Sequence, residues 1–215
     1  MNITLFGGSG AIGKILTEVA IQNGDNVTLY ARNAGKIGQK HEKLNVVEGQ
    51  LSNQDLVEQA LSNADLVIST LGPALDTSRK LKGTPVADGH EVIVNAMRKL
   101  NKKRLITLAT PTLKSDKDRN SIATIVPGIM AKVMFPNGYY EMKKLEEIIK
   151  RSSLDWTVVR IINPNVRHKE NVHYAYSLGD QPAKMGVSRE NIAKFMYHAA
   201  SEPSLIHQMP IVYNS

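Results

Sequence analysis

The 215-residue sequence predicts an α/β fold, a doubly wound parallel sheet with helices on both faces in three αβα layers. Two observations support this prediction. Short runs rich in β-branched residues alternate with helical patterns, which is typical of βαβ units. A glycine-rich turn at residues 7–13 joins the first apolar run to the first helical pattern. The length predicts a single domain over 1–215, with a small C-terminal extension over about 162–215.

Six strands are expected before the loop-rich tail, and two more within it. The strands are expected at 2–6, 26–30, 44–48, 65–70, 104–109 and 156–161, then at 172–177 and 209–213. Helices are expected near 11–23, 53–62, 85–101, 139–152 and 189–201. Three helix starts carry capping residues: the segment Ser52–Asp55, Thr84 before Pro85, and Ser188 before Arg189.

The composition is that of a globular protein, with 42% hydrophobic and 22% charged residues. No apolar run reaches the ~18 residues that suggest a membrane span. The first residues lack the basic and apolar regions of a signal peptide. Zero cysteines exclude disulfides and cysteine-ligated zinc. We therefore expect a cytoplasmic protein without a membrane partner.

The net charge is +7, a surplus that attracts nucleic acid or an anionic cofactor. The densest basic run, residues 98–104, falls where a helix is expected to end, and cations there complement the helix dipole. Because no aromatic residues interleave with these charges, we interpret the run as a solvated helix end and expect no nucleic-acid partner. We expect a monomer or a weak homo-oligomer.

The segment 121–135, SIATIVPGIMAKVMF, is unusually apolar. It is too short to span a bilayer, and Pro127-Gly128 interrupts it. One interpretation is a pair of short helices packed on the core. The other is a lid over a pocket or a contact between subunits.

The turn LFGGSGAIG, residues 5–13, lies between a strand and a helix, as a phosphate-binding loop does. Gly7 permits a sharp exit from the strand, Gly10 a close approach to a pyrophosphate, and Gly13 close packing of the helix on the sheet. The spacing differs from the dinucleotide fingerprint G-x-G-x-x-G, so a tight strand-to-helix corner is the alternative. The predicted pyrophosphate site comprises Gly7, Gly8, Ser9, Gly10, Ala11, Ile12 and Gly13.

The end of the second strand indicates which dinucleotide binds. A fold that takes NAD usually has Asp or Glu there, for the ribose 2′-hydroxyl. This chain has Arg32-Asn33 instead, and a guanidinium matches the oxygens of a 2′-phosphate. We therefore predict NADP(H) in preference to NAD(H), with Arg32 and Asn33 as contacts. An exposed surface charge is the alternative for Arg32.

Further loops follow the later strands at the same rim of the sheet, where open α/β sheets bind ligands. Gln50 and Leu51 follow the third strand and are predicted to meet the adenine. Gly72 would let the chain pass close to the cofactor. The remaining predicted cofactor contacts are Thr70, Leu71 and Asn163.

The whole chain resembles the atypical short-chain dehydrogenase/reductases, in the single-domain NAD(P)H-binding, NmrA-like group that includes biliverdin-IXβ/flavin reductase. The matching stretches are GGSGAIG, YARN, ADLVISTLGP, LEEIIKRSSLDWTVVR and VSRENIAKFM. The resemblance implies a Rossmann-type fold that binds NADPH and passes hydride to a planar acceptor such as a flavin or quinone. The chain departs from the family pattern at Gln50 and Asn191, where Asp is usual, and at RIINPN after the sixth strand.

In the wider superfamily, a Ser or Thr after the fifth strand and a Tyr-x-x-x-Lys pair assist hydride transfer to a carbonyl. Here Thr110 follows that strand, and Tyr139/Lys143 have the spacing that places two side chains on one helix face. Tyr140/Lys144 have the same spacing, and doubled residues produce such pairs by chance. The segment YYEMKKLEE, residues 139–147, also resembles the branch of this superfamily whose helix lacks a catalytic Tyr-Lys pair. Members of that branch reduce their acceptor by positioning alone.

The leading hypothesis is an NADPH-dependent reductase of a small planar acceptor, with Thr110, Tyr139 and Lys143 as candidate catalytic residues and flavin as a candidate substrate. The alternative is a sensor or regulator that binds NADP(H) without chemistry. A sugar-nucleotide epimerase or dehydratase is a third interpretation, against which the short tail argues. The six histidines lack metal-site spacing, and we expect no metal.

Overall fold

The computed structural model of the chain describes residues 1–73, 77, 80, 83–119 and 122–215, without the side chains of residues 122–124 and 127. The strands are β1 (Asn2–Phe6), β2 (Asn26–Ala31), β3 (Leu44–Glu48), β4 (Leu66–Ser69), β5 (Arg104–Ala109), β6 (Asp155–Arg160), β7 (Tyr174–Ser177) and β8 (Ile211–Asn214). The α-helices are α1 (Ala11–Gln22), α2 (Gln54–Leu61), α3 (Pro85–Lys99), α4 (Ile122–Met134), α5 (Pro136–Arg151) and α6 (Arg189–His198). Short 3-10 turns lie at Ala34–Lys36, Ala199–Ser201 and Pro203–Leu205.

The strands form one sheet in the order β3-β2-β1-β4-β5-β6-β8-β7. The first six run parallel and have the doubly wound order 3-2-1-4-5-6 of dinucleotide-binding folds. β8 continues parallel to β6, and β7 closes the edge antiparallel to β8. The predicted α/β Rossmann-type fold is therefore confirmed.

Buried strands and amphipathic helices make three layers. The helices α2, α3 and α5 pack on one face of the sheet, and α1 and α6 on the other. Successive residues of β1 show the alternation: Leu5 faces the α1/α6 core, whereas Phe6 faces the α2/α3/α5 core. Because parallel strands end at a common rim, the loops after β1 to β6 gather there.

The bounds predicted for the strands and helices lie within three residues of the observed ones, and two differences have a physical reason. Helix α5 begins at Pro136, three residues before the expected position, since a proline suits a first helical turn. The predicted pair of short helices in 121–135 is wrong: α4 is one helix that runs through Pro127 and Gly128. A proline removes only its own N–H from the ladder, so it can kink a helix without ending it. Residue 121 lies outside the described residues.

Within the described ranges, no helix combines the length and the apolarity required to cross a bilayer.

Candidate functional site

The glycine turn after β1 is shaped by two close approaches. Gly7 has a φ of +87°, and a Cβ there would lie 2.6 Å from Thr70 Oγ1. A Cβ on Gly13 would clash with the Gly7 carbonyl oxygen. The close packing at Gly13 is therefore between α1 and the turn, whereas the sequence predicts close packing of the helix on the sheet. The Thr70 hydroxyl lies 3.1 Å from the Gly7 oxygen and joins the ends of β1 and β4. Both positions therefore require glycine.

The first turn of α1 presents backbone N–H groups to the rim. Its N-cap, Gly10, supplies no side-chain cap, and the first turn contains no acidic residue. Other helices are capped by side chains: Asn53 accepts from Leu56 N of α2, and Ser188 caps α6. The α1 terminus thus combines the positive end of a helix dipole with exposed Ser9 and Gly10, a suitable place for a phosphate.

A buried carboxylate caps α3 from another helix. Glu141 of α5 accepts hydrogen bonds from Val86 N at 3.1 Å and Ala87 N at 2.8 Å, and the residue is 5% exposed. The α3 terminus is therefore already neutralised, which leaves it poorly suited to a second anion.

A cleft of about 700 Å³ opens at the rim beside these helices. Its lining includes five residues predicted from the sequence to contact the cofactor, namely Arg32, Gln50, Leu51, Leu71 and Gly72. Helices α3 and α5 supply the opposite wall, including Val86, Gly89, Gly138 and Glu141. The structure thus brings together the residues that follow β2, β3 and β4, as expected for parallel strands whose carboxyl ends lie at one rim.

The loop that carries Gln50 is held by a residue that sequence reasoning missed. The buried Tyr30 donates its hydroxyl to the Gln50 carbonyl oxygen at 2.7 Å, and burial raises the pKa of Tyr30. A Cβ on Gly49 would clash with that hydroxyl oxygen. In the sequence, a tyrosine near the end of β2 and a glycine directly after β3 were the signal from which this contact could have been inferred.

Arg32 and Asn33 lie at the exposed end of β2. Arg32 directly follows β2 and lines the cleft. Asn33 is the N-cap of the 3-10 turn Ala34–Lys36. The Ala34 N–H donates to Glu48 Oε2 at 3.0 Å, which holds this turn against β3. The guanidinium is therefore available to an anion in the cleft.

Beneath the rim, three buried polar side chains meet. His90 of α3 lies with Nε2 2.9 Å from Ser69 Oγ and 3.1 Å from Thr107 Oγ1. Its Nδ1 is 2.8 Å from the Val86 carbonyl oxygen, so Nδ1 carries the proton and Nε2 accepts from the hydroxyls. Burial lowers the pKa of His90 to about 4, which keeps it neutral. The Leu71 N–H in turn donates to Ser69 Oγ at 3.4 Å.

Thr110 follows β5 at the carboxyl rim, where it was predicted. Its hydroxyl oxygen lies 3.0 Å from Thr112 Oγ1 and accepts from Thr112 N at 3.4 Å. These bonds fix the side chain within its own turn. The residue is partly exposed.

Each of the two Tyr/Lys pairs of α5 has its lysine bound to a different carboxylate. Lys143 Nζ is 2.7 Å from Glu146 Oε2, and Lys144 Nζ is 2.5 Å from Asp88 Oδ1. The hydrogen bond to Asp88 raises the pKa of Lys144. Tyr139 packs edge-on against Tyr140, with ring centroids 5.6 Å apart. Both lysines are therefore paired with carboxylates.

Asn163 lies after β6, at a bridge to Gly186. Its carbonyl oxygen accepts from Val187 N at 3.0 Å, and its side-chain oxygen accepts from Asn165 N at 3.2 Å. It is not among the residues that line the 700 Å³ cleft.

Comparison with known proteins identifies the family. The family model described as NAD(P)H-binding matches residues 7–203. No curated protein matches the chain in sequence. Many solved structures share the fold, and three of them are described below.

A short-chain dehydrogenase/reductase from Veillonella parvula in complex with NADP has 23% identity and a TM-score of 0.79, over 99% of this chain and 94% of that one. The anaerobillin reductase ChuY of Escherichia coli O157:H7 has 20% identity and a TM-score of 0.77, over 99% and 97%. The oxidoreductase ylbE of Lactococcus lactis has 18% identity and a TM-score of 0.76, over 100% and 91%. These likenesses show the fold, and the range matched by the family model includes the glycine turn and the residues that line the cleft. The chain belongs to the NAD(P)H-binding family, which confirms its resemblance to the atypical short-chain dehydrogenase/reductases.

Proposed function

We propose that the protein is an NADP(H)-dependent oxidoreductase that passes hydride to a small planar acceptor such as a flavin or quinone. The observation that carries the proposal is the arrangement at the rim: the uncapped start of α1 follows β1, and Arg32, which lines the cleft, follows the neighbouring strand β2. The first suits a pyrophosphate, and the second suits a 2′-phosphate. The structure of the V. parvula relative in complex with NADP supports this choice of cofactor.

The residues of the chain fit such a cofactor. Glycine is required at 7 and 13 by close contacts, and Gly10 leaves the α1 terminus without a side chain that would cover it. Leu51, Leu71 and Gly89 form part of the cleft wall that we assign to the adenine. Tyr30 holds the Gln50 loop, and Thr70 holds the turn.

When bound, the nicotinamide supplies hydride from its C4 carbon, and the chain positions the acceptor. We assign Thr110 to orient the acceptor, because this partly exposed residue follows β5 at the rim and carries a hydroxyl. The proton-donor role proposed for Tyr139, with assistance from Lys143, has weaker support because Lys143 is paired with Glu146. A flavin or quinone needs less assistance from a dedicated acid than an isolated carbonyl does, so positioning carries most of the catalysis in this proposal.

A second candidate is a sensor that binds NADP(H) without turnover. The pairing of both lysines of the Tyr-x-x-x-Lys motifs with carboxylates favours it. The two functions are distinguished by mixing the protein with NADPH and a panel of flavins and quinones, and following the absorbance of NADPH. We expect NADPH oxidation in proportion to enzyme concentration. Tight NADPH binding without turnover across the panel would favour the sensor, and no NADPH binding would contradict both.

A further inference from the structure

Helix α4 leaves a row of large apolar side chains in solvent. Six of the eleven exposed large hydrophobic residues in the described parts of the chain belong to it, with exposures between 36% and 66%. They are Ile125, Val126, Ile129, Met130, Val133 and Met134. Soluble monomers rarely expose so many such side chains on one short element.

These residues form two parallel rows along the helix. Ile125, Ile129 and Val133 are spaced four residues apart, and the second row begins at Val126 and continues through Met130. Rows with this spacing are the ridges that interdigitate when two helices pack at about −50°, the commonest packing class. The face therefore has the pattern of a helix-packing surface. Helix α5, which follows α4 directly in the chain, contacts it.

The size of the face matches an interface between two chains. Six side chains at about half exposure present on the order of 500 Å² of apolar surface, toward the upper end of the roughly 300–600 Å² of a monomer's largest apolar patch, which is often functional. Two copies of the face would together bury on the order of 1,000 Å², about the least that a specific interface needs.

The charge pattern favours a second copy of this chain over a membrane. Peripheral membrane helices carry a polar face rich in lysine and arginine. Lys132 alone is ionisable in the sequence of α4, and its ammonium lies 5.9 Å from the centre of the Tyr139 ring on α5. The exposed rows are thus uncharged, and a helix related by twofold symmetry would present the same ridges in return.

We propose that the α4 face, Ile125 to Met134, is the interface of a symmetric homodimer, with Ile129 near the twofold axis. The interface adjoins the cofactor cleft, because α5 begins at Pro136 and its first turns supply Gly138 and Glu141 to the cleft wall. The proposal does not depend on the reaction that the cleft performs.

Sedimentation of the full chain at micromolar concentration tests the proposal. We expect a dimer for the natural sequence and a monomer for Ile129→Glu or Val133→Glu, since a carboxylate in the interface would raise the dissociation constant roughly 100-fold or more. Met185→Glu is the matched control, because Met185 is a similarly exposed apolar residue, at 47%, outside α4. Circular dichroism would verify that each variant is folded, as expected for exposed positions.

A disulfide trap provides a second, independent measurement. The chain has no cysteine, so Ile129→Cys introduces a single thiol. Under oxidation we expect a covalent dimer from Ile129→Cys at a protein concentration where Met185→Cys remains monomeric. The dimer should persist in high salt, because its interface is apolar while each copy carries a charge of +7.

Three results would overturn the proposal. The natural chain could sediment as a monomer at about 100 µM, or it could form a dimer that Ile129→Glu and Val133→Glu leave intact. In the third, the natural chain would be monomeric and would cosediment with phosphatidylglycerol vesicles through α4. That result would identify a lipid surface as the partner of the α4 face.

Discussion

The guanidinium of Arg160 and the carboxylate of Asp118 form a buried two-point ion pair. Arg160 Nη1 lies 2.6 Å from Asp118 Oδ2, and Nη2 lies 2.7 Å from Oδ1. The Arg160 side chain is 0% exposed and that of Asp118 is 7% exposed. Arg160 Nε also donates to the Met209 carbonyl oxygen at 2.8 Å. The pair thus joins the end of β6 to the loop that begins at Thr110 and to the segment before β8.

Breaking this ion pair is predicted to destabilise the protein strongly. Asp118→Ala leaves the Arg160 charge buried without its counter-ion, which typically costs about 3–5 kcal/mol of the free energy of unfolding. The double variant Arg160→Met with Asp118→Leu should lose less of the free energy of unfolding, since it buries no charge at this site. Urea unfolding measures both. The ion pair of Lys99 with Glu58, in which the lysine side chain is 61% exposed, supplies the control Lys99→Ala, which should have little effect. An equal loss for Asp118→Ala and Lys99→Ala would contradict the prediction.

His90 is predicted to make stability depend on pH. Its pKa is about 4 in the folded protein, against an ordinary value of 6.5. Between these values the unfolded chain binds a proton that the native state does not. Stability is therefore fully present above pH 6.5 and falls as the pH drops toward 4, by up to about 3 kcal/mol.

The variant His90→Gln tests this linkage. Urea unfolding at pH 7 and pH 5 should show a smaller pH effect for His90→Gln than for the natural chain, whatever its absolute stability. His41→Gln, at an exposed histidine, is the control and should keep the natural pH effect. A pH effect unchanged by His90→Gln would show that other groups cause it.

The sequence predicted the strands, most helices and the rim loops, because periodicity and glycine spacing are local signals. It did not predict contacts between distant segments. Ser69, His90 and Thr107 meet from three elements, and neither hydropathy nor spacing indicates which polar residues on buried faces will meet. The same holds for Glu141, which caps a helix from 54 residues away in sequence. For residues 121–135, apolarity left packing on the core and a lid or subunit contact as alternatives, since it cannot tell a core from a partner.

Asn191 shows how the structure explains a departure from the family pattern. Its amide Nδ2 donates to the Val172 carbonyl oxygen at 3.0 Å and to Asn214 Oδ1 at 2.9 Å, and the residue is 1% exposed. The usual Asp could not donate to these oxygens when ionised. We predict that Asn191→Asp lowers the unfolding free energy by about 2–4 kcal/mol at pH 7.

The loss caused by Asn191→Asp should shrink as the pH falls, because the introduced carboxyl regains one donor when it is protonated. Thermal unfolding at pH 7 and pH 5 would measure this change. Asn165→Asp, at an exposed loop position, serves as the control. A loss that grows at low pH would contradict this explanation.

Arg32 is predicted to select NADPH over NADH. Arg32→Ala removes the only guanidinium among the residues that line the cleft within the described chain, and a charge-assisted hydrogen bond to phosphate is worth about 1.5–3 kcal/mol. The NADPH dissociation constant should rise about 10- to 100-fold while that of NADH changes little. Fluorescence titration with both cofactors measures this, with Lys36→Ala, a cation on the adjoining turn, as control. Equal losses for NADPH and NADH would refute the 2′-phosphate role.

Thr110 is predicted to matter more to turnover than Tyr139. Thr110→Val removes the hydroxyl at nearly constant volume and should lower kcat/KM for a flavin acceptor roughly 3- to 10-fold, the value of one hydrogen bond. Tyr139→Phe should change it less than about twofold, because Lys143 is held by Glu146 and is not free to assist the Tyr139 hydroxyl. Tyr140→Phe, at an exposed neighbour, is the control. A loss at Tyr139→Phe that exceeds the loss at Thr110→Val would instead support the Tyr-Lys pair as the acid.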